Sequence, residues 1–149
     1  MKIEIDQSGK IEDTSKNTII TFSNDKFKSI FISAKEKREI QKIFRKIGKP
    51  RIFIYKLFAI LIFRLIKNHL KEIDEIIIDE EYSGKASLIK NFLLREIRKI
   101  KPDFQKDTII FKRVGKKSRA HFLAYGVATE KKEADVKVTA KEVLKIMIK

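Results

Sequence analysis

The run Ile52 to Ile66 constrains this chain more than any other feature, being apolar along its length apart from Lys56 and Arg64. A bilayer span needs about 20 predominantly apolar residues, so this run is too short and too charged to cross a membrane. Read as a helix reaching roughly to Leu70, it is apolar on most sides and belongs in a core, against a sheet. A single domain over residues 1–149 can supply that cover, since a chain of this length buries about 70% of its unfolded surface. Cysteine is absent, which excludes a disulfide scaffold, a cysteine-ligated zinc and a thiol nucleophile.

The sheet is legible on either side of that helix. Ile3 and Ile5 alternate with Lys2, Glu4 and Asp6 in a short half-buried strand. Gln7 to Lys10 read as a turn in which Gly9 is free to take a positive φ. Thr18 to Phe22 and Ser29 to Ile32 are β-branched and aromatic runs with Asn24-Asp25 between them, a hairpin signal. Ser33 is an N-cap for a helix over Ala34 to Ile47, which Gly48 and Pro50 stop. Glu75 to Asp79 is a continuous apolar strand ending in an acid, the pattern of a strand covered on both faces. An amphipathic helix over Lys85 to Ile100 ends at Pro102, and a fifth strand covers Thr108 to Phe111. Ser118 caps a helix to about Ala128, and Thr139 caps the last one. This order predicts an α/β fold, a mixed five-stranded sheet with helices on both faces.

Charge narrows the choice of partner. Lys and Arg number 35 against 20 Asp and Glu, a net charge of +15, and phosphate neutralisation with counterion release rewards such a surface. Nucleic acid, DNA or RNA, is the expected partner, and no membrane is. Met1 to Asp6 lacks the apolar stretch of a signal peptide, so a soluble, cytoplasmic protein is expected.

Three short motifs fall in the elements, and in the order, of one known superfamily. Ile5-Asp6-Gln7-Ser8-Gly9 is similar to the D-G-S pattern on the first strand of ribonucleases H. Ile78-Asp79-Glu80-Glu81-Tyr82 resembles the T-D-S-x-Y that ends their fourth strand, and Ala120-His121-Phe122-Leu123-Ala124 the A-D-x-L-A of their last helix, with His in place of Asp. The chain thus resembles the RNase H-like superfamily over nearly its whole length. The resemblance implies that Asp6 and Asp79 lie on neighbouring strands about 4.8 Å apart, where two carboxylates repel unless a cation lies between them. It implies Mg2+ or Mn2+, hard ions that take carboxylate and phosphate oxygens. Two such ions about 3.5–4 Å apart activate water and stabilise the leaving oxygen of a phosphodiester. Asp6, Asp79 and His121 are the implied metal ligands. Glu80, ahead of Glu81, is a further candidate catalytic acid, though both also read as surface acids opening the next helix. Asp135, a candidate catalytic acid as well, and Glu130 rival His121 as the fourth ligand. A lone Asp at a strand end more often forms a turn or cap, so it is the pairing that points to a site.

The chain also departs from ribonucleases H. They carry a catalytic Glu on the helix before the fourth strand, whereas Ile40 to Lys71 contains no acid and Lys56 stands in that place. Lys56 would pair with the carboxylates, contact a phosphate, or simply snorkel from an apolar helix. The pattern is closer to Holliday-junction resolvases and transposases, whose sites use the first strand, the fourth strand and the C-terminal helix. The oligomeric state stays open, a homodimer included. His69, near the end of the apolar helix, reads as structural.

Basic residues gather in two places. Lys35, Lys37, Arg38, Lys42, Arg45, Lys46, Lys49 and Arg51 crowd the first helix and its exit. That helix, at about 34–47, has no counterpart in ribonucleases H and looks like an insertion, either a phosphate-tracking handle or a solvated face. Arg113, Lys116 and Lys117 precede a helix N-terminus, which favours phosphate, and Lys10 follows the first acid. No base-reading motif accompanies these groups, so backbone recognition is expected. The function expected is a metal-dependent nuclease cleaving phosphodiesters in structured nucleic acid, a branched junction or a hybrid duplex. The alternative is a catalytically inactive RNase H-like nucleic-acid-binding module.

Overall fold

The structure is a computed structural model that describes residues 1–24, 26–113 and 134–148. The helix expected over 118–128, with His121, lies outside the described residues, as do Lys116, Lys117 and Glu130. The strands are β1 (Lys2–Ser8), β2 (Thr18–Ser23), β3 (Phe27–Ile32), β4 (Glu75–Asp79), β5 (Ile109–Lys112) and β6 (Val136–Lys137). They form one mixed sheet in the order β5-β4-β1-β2-β3-β6. β1, β2 and β3 are antiparallel neighbours, while β4, β5 and β6 each join parallel.

The sheet therefore has six strands where the sequence predicted five. β6 pairs with β3 through Ile30↔Val136 and Phe31↔Lys137 alone. Two residues are too few to show an alternation of apolar and polar side chains, and only the open edge of β3 makes them a strand.

Register decides which face each residue occupies. Ile5 stands beside Phe22 on β2 and Ile78 on β4, Ile20 beside Ile30, and Ile76 beside Ile109. These side chains share one face and one core with the helices α1 (Ala34–Lys46), α2 (Ile52–Ile66), α3 (Ala86–Ile100) and α4 (Ala140–Met147). In α2 every residue from Leu57 to Phe63 is buried, as its composition requires. The helix stops at Ile66, and a 3-10 turn over Lys67–His69 completes the segment expected to be helical. All four described helices pack on this single face of the sheet. The expectation of helices on both faces also involves the helix over 118–128, which lies outside the described residues. The opposite face carries a small cluster of Ile19, Phe31 and Ala134.

Of the three predicted N-caps, those at Ser33 and Thr139 form, and Ser118 lies outside the described residues. Ser33 accepts from the Glu36 N–H at 3.2 Å and Thr139 from the Glu142 N–H at 3.3 Å. Such a cap satisfies a helix donor that otherwise has no partner. The two helices are also joined, because Glu36 Oε2 accepts the Ala140 N–H at 2.7 Å.

β1 runs beyond the expected turn, to Ser8, because β2 continues to pair with it through Gln7↔Ile20 and Ser8↔Ile19. The reversal falls on Gly9, with φ of 76°, where a Cβ would meet the Asn17 carbonyl oxygen at 2.0 Å. Only glycine fits there.

Candidate metal centre

β1 and β4 lie side by side and parallel, with Ile5 opposite Ile78. The next residue on each strand is Asp6 and Asp79, and alternation turns both away from the helix-covered face. Asp6 is buried at 3% exposure, and its Oδ1 accepts the Gln7 N–H at 2.8 Å. Asp79 is half-buried at the last position of β4.

Glu81, rather than Glu80, joins the two aspartates. Ligand oxygens of Asp6, Asp79 and Glu81 all lie within 4.8 Å of one another. Glu80 is exposed, and its N–H donates to the Lys112 carbonyl at 3.1 Å. Strand alternation stops at Asp79, and what places Glu81 is its neighbour Tyr82. The Tyr82 ring is buried edge-on to Phe58 and Tyr55. Its hydroxyl accepts the Ile11 N–H at 3.2 Å and lies 3.1 Å from Gln7 Nε2. Tyr82 thus ties the segment after β4 to the segment after Asp6. Position at the strand end favoured Glu80 over Glu81 in the sequence; the apolar environment that Tyr82 needs is the signal that favours Glu81.

The triad is electrostatically loaded. Burial pushes the Glu81 carboxyl up to about 8, and the hydrogen bond to Asp79 and the charges of Asp79 and Asp6 push the same way. Lys10 pulls in the opposite direction, which puts its ammonium within electrostatic reach. Lys112 is the register partner of Asp79 on β5 and shares its face. Three acids this close hold a proton or a cation between them. Their donor set is all oxygen, which suits a hard divalent ion.

The other candidate residues lie elsewhere. Asp135 sits at the far side of the sheet, where its Oδ2 accepts the Ser29 N–H at 2.8 Å just before the β3–β6 pairing begins. Lys56 lies between α2 and α3 with its ammonium 5.7 Å from the centre of the Phe92 ring. Burial lowers its pKa, and the charges acting on it are Arg95, Glu96, Lys49 and Lys99, not the triad. His69 packs against Phe22, ring centres 5.6 Å apart, with Nδ1 3.8 Å from Glu72.

On α1, Lys35, Arg38, Lys42, Arg45 and Lys46 are exposed, as are Lys49 after it and Arg113 after β5. Lys37 is not part of that surface. It is fully buried, and its Nζ donates to the carbonyls of Lys10 at 3.0 Å and Asp13 at 2.7 Å. Arg38 reaches the Thr14 carbonyl at 2.8 Å. The supposed insertion therefore pins the loop that carries Lys10 to the acids.

No described helix is long and apolar enough to cross a membrane. Comparison of the chain with family models, with curated proteins and with solved structures gives no match. What the molecule itself presents is an α/β fold whose mixed sheet carries the triad Asp6, Asp79 and Glu81, an arrangement compatible with an RNase H-like fold.

Proposed function

We propose that this chain is a metal-dependent nuclease of the RNase H-like superfamily, acting on phosphodiesters in structured nucleic acid such as a branched junction or a hybrid duplex. The observation that carries the reading is the convergence of Asp6, Asp79 and Glu81 on one sheet face, with Lys10 and Lys112 beside them. Two lysines next to three acids favour a substrate that is anionic yet approaches carboxylates, as a phosphodiester does when a cation screens the acids.

Magnesium or manganese held by Asp6, Asp79 and Glu81 would supply an activated water and stabilise the leaving oxygen. Asp6, buried and held at Oδ1 by the Gln7 N–H, presents its carboxylate to the site. Glu81 holds a proton in the metal-free chain and must release it to serve as a ligand. Lys10 and Lys112 orient the phosphate by charge. The exposed cations of α1 extend the contact along the backbone, with no base readout.

The test is cleavage of branched, hybrid and single-stranded substrates with magnesium or manganese, by the wild type and by Asp6→Asn and Asp79→Asn. Loss of cleavage by at least about 100-fold in each variant, with folding and binding retained, is the expected result. Cleavage undiminished in both variants overturns the proposal. Salt-sensitive, chelator-insensitive binding without any cleavage would establish the non-catalytic module instead.

A further inference from the structure

Thr21 lies directly across from Asp6 in the antiparallel pairing of β1 with β2. Directly opposed residues share a face, with Cβ atoms about 4.5–5.5 Å apart, so Thr21 stands on the triad's side of the sheet. It is 1% exposed, and its hydroxyl has no hydrogen-bond partner among the described residues. The neighbouring hydroxyls are satisfied. Thr18 Oγ1 donates to the Gly9 carbonyl at 2.8 Å, and Ser29 Oγ accepts the Asp135 N–H at 3.3 Å. A buried hydroxyl left unpaired is a net cost to the fold. Valine has the same branched shape and equal suitability for a strand, so packing does not account for the oxygen.

We infer that Thr21 belongs to the metal centre, its hydroxyl anchoring a water on the cation that Asp6, Asp79 and Glu81 hold. This rests on the reading of the triad as a cation site. A hard ion such as magnesium keeps several of its waters when protein carboxylates bind it, and those waters need partners in a buried site. Thr21 offers one beside Asp6, on the strand away from β4. The polar row therefore runs Lys112, Asp79, Asp6, Thr21 across the sheet, with an anion-facing cation at one end and a water-holding hydroxyl at the other. Thr21 is a positioning residue: it acts through the ion's water rather than on the substrate.

The experiment measures manganese binding to the full chain, by titration and by the rise in melting temperature, for the wild type, Thr21→Val, Thr21→Ser and Asp6→Asn. The wild type should bind manganese and Asp6→Asn should not. Thr21→Val should melt at or above the wild type without cation, yet bind manganese about 10–100-fold more weakly, the range typical when the partner of a metal's ligand shell is removed. Thr21→Ser should restore the affinity, since it restores the oxygen. Thr21→Val binding manganese as tightly as the wild type, with Asp6→Asn binding none, overturns the role of Thr21 and leaves the triad standing. A Thr21→Val chain that melts below the wild type without cation shows that the hydroxyl serves the fold, and also overturns it. A wild type that binds no manganese overturns the triad reading and this inference together.

Discussion

Glu81 shows how one side chain reports on its surroundings. Its carboxyl keeps a proton to about pH 8 in the folded, metal-free chain, because burial and the neighbouring aspartates disfavour a third negative charge. Unfolded, it ionises at its ordinary value of 4.5. Between those limits the folded state binds more protons, so stability falls as pH rises. The contribution is fully present below pH 4.5 and lost as pH passes through 8. Glu81→Gln keeps the neutral form at every pH and should remove that slope. Urea unfolding of the chelator-treated chain at pH 5 and pH 8 checks this, with the wild type expected to lose more stability than the variant. An equal change in the two would place Glu81 away from the charge of the aspartates.

At the scale of elements, α1 is a brace as well as a charged surface. Its first turn turns Lys37 inward to the carbonyls of Lys10 and Asp13, and Arg38 outward to Thr14. Burial lowers the Lys37 pKa from 10.5 to about 8. From pH 8 to 10.5 the unfolded chain then binds more protons than the folded one, so stability rises with pH over that window. Below pH 8 the cost of the buried charge is fully felt. Lys37→Met should lack the rise and leave two loop carbonyls unpaired, at about 1–3 kcal/mol for a buried group without its partner. Denaturation at pH 7 and pH 10 reads both effects. Because the same loop carries Lys10, the variant should also weaken any binding that depends on Lys10.

The whole molecule is a polycation with a small acidic centre. Its net charge of +15 predicts binding to nucleic acid that weakens steeply with salt. Lys42 and Arg45 lie on adjacent turns of α1, both exposed. Each phosphate contact contributes about 0.9 to the slope of log K against log salt on duplex DNA. Replacing both with Gln should therefore lower that slope by about 1–2. The cation dependence of any cleavage should stay unchanged, since neither residue is near the triad. An unchanged slope would make the outer face of α1 a solvated surface only.

The order of the described elements other than β6, the caps at Ser33 and Thr139, the turn at Gly9 and the pairing of Asp6 with Asp79 were legible in the residues themselves. Each depends on local chemistry: a period of apolar positions, a side chain that caps its own helix, a glycine where no Cβ fits. Three other matters needed the folded chain. Val136–Lys137 became a strand only because β3 left an edge open to it. Lys37, one cation among many in sequence, was buried because two loop carbonyls came within its reach. Glu81 displaced Glu80 because Tyr82, anchored to Gln7 and Ile11, turned the chain back over the aspartates. Local sequence fixes what a segment prefers to be. Which side chains meet is decided by contacts between segments far apart in the chain, and no periodicity records those.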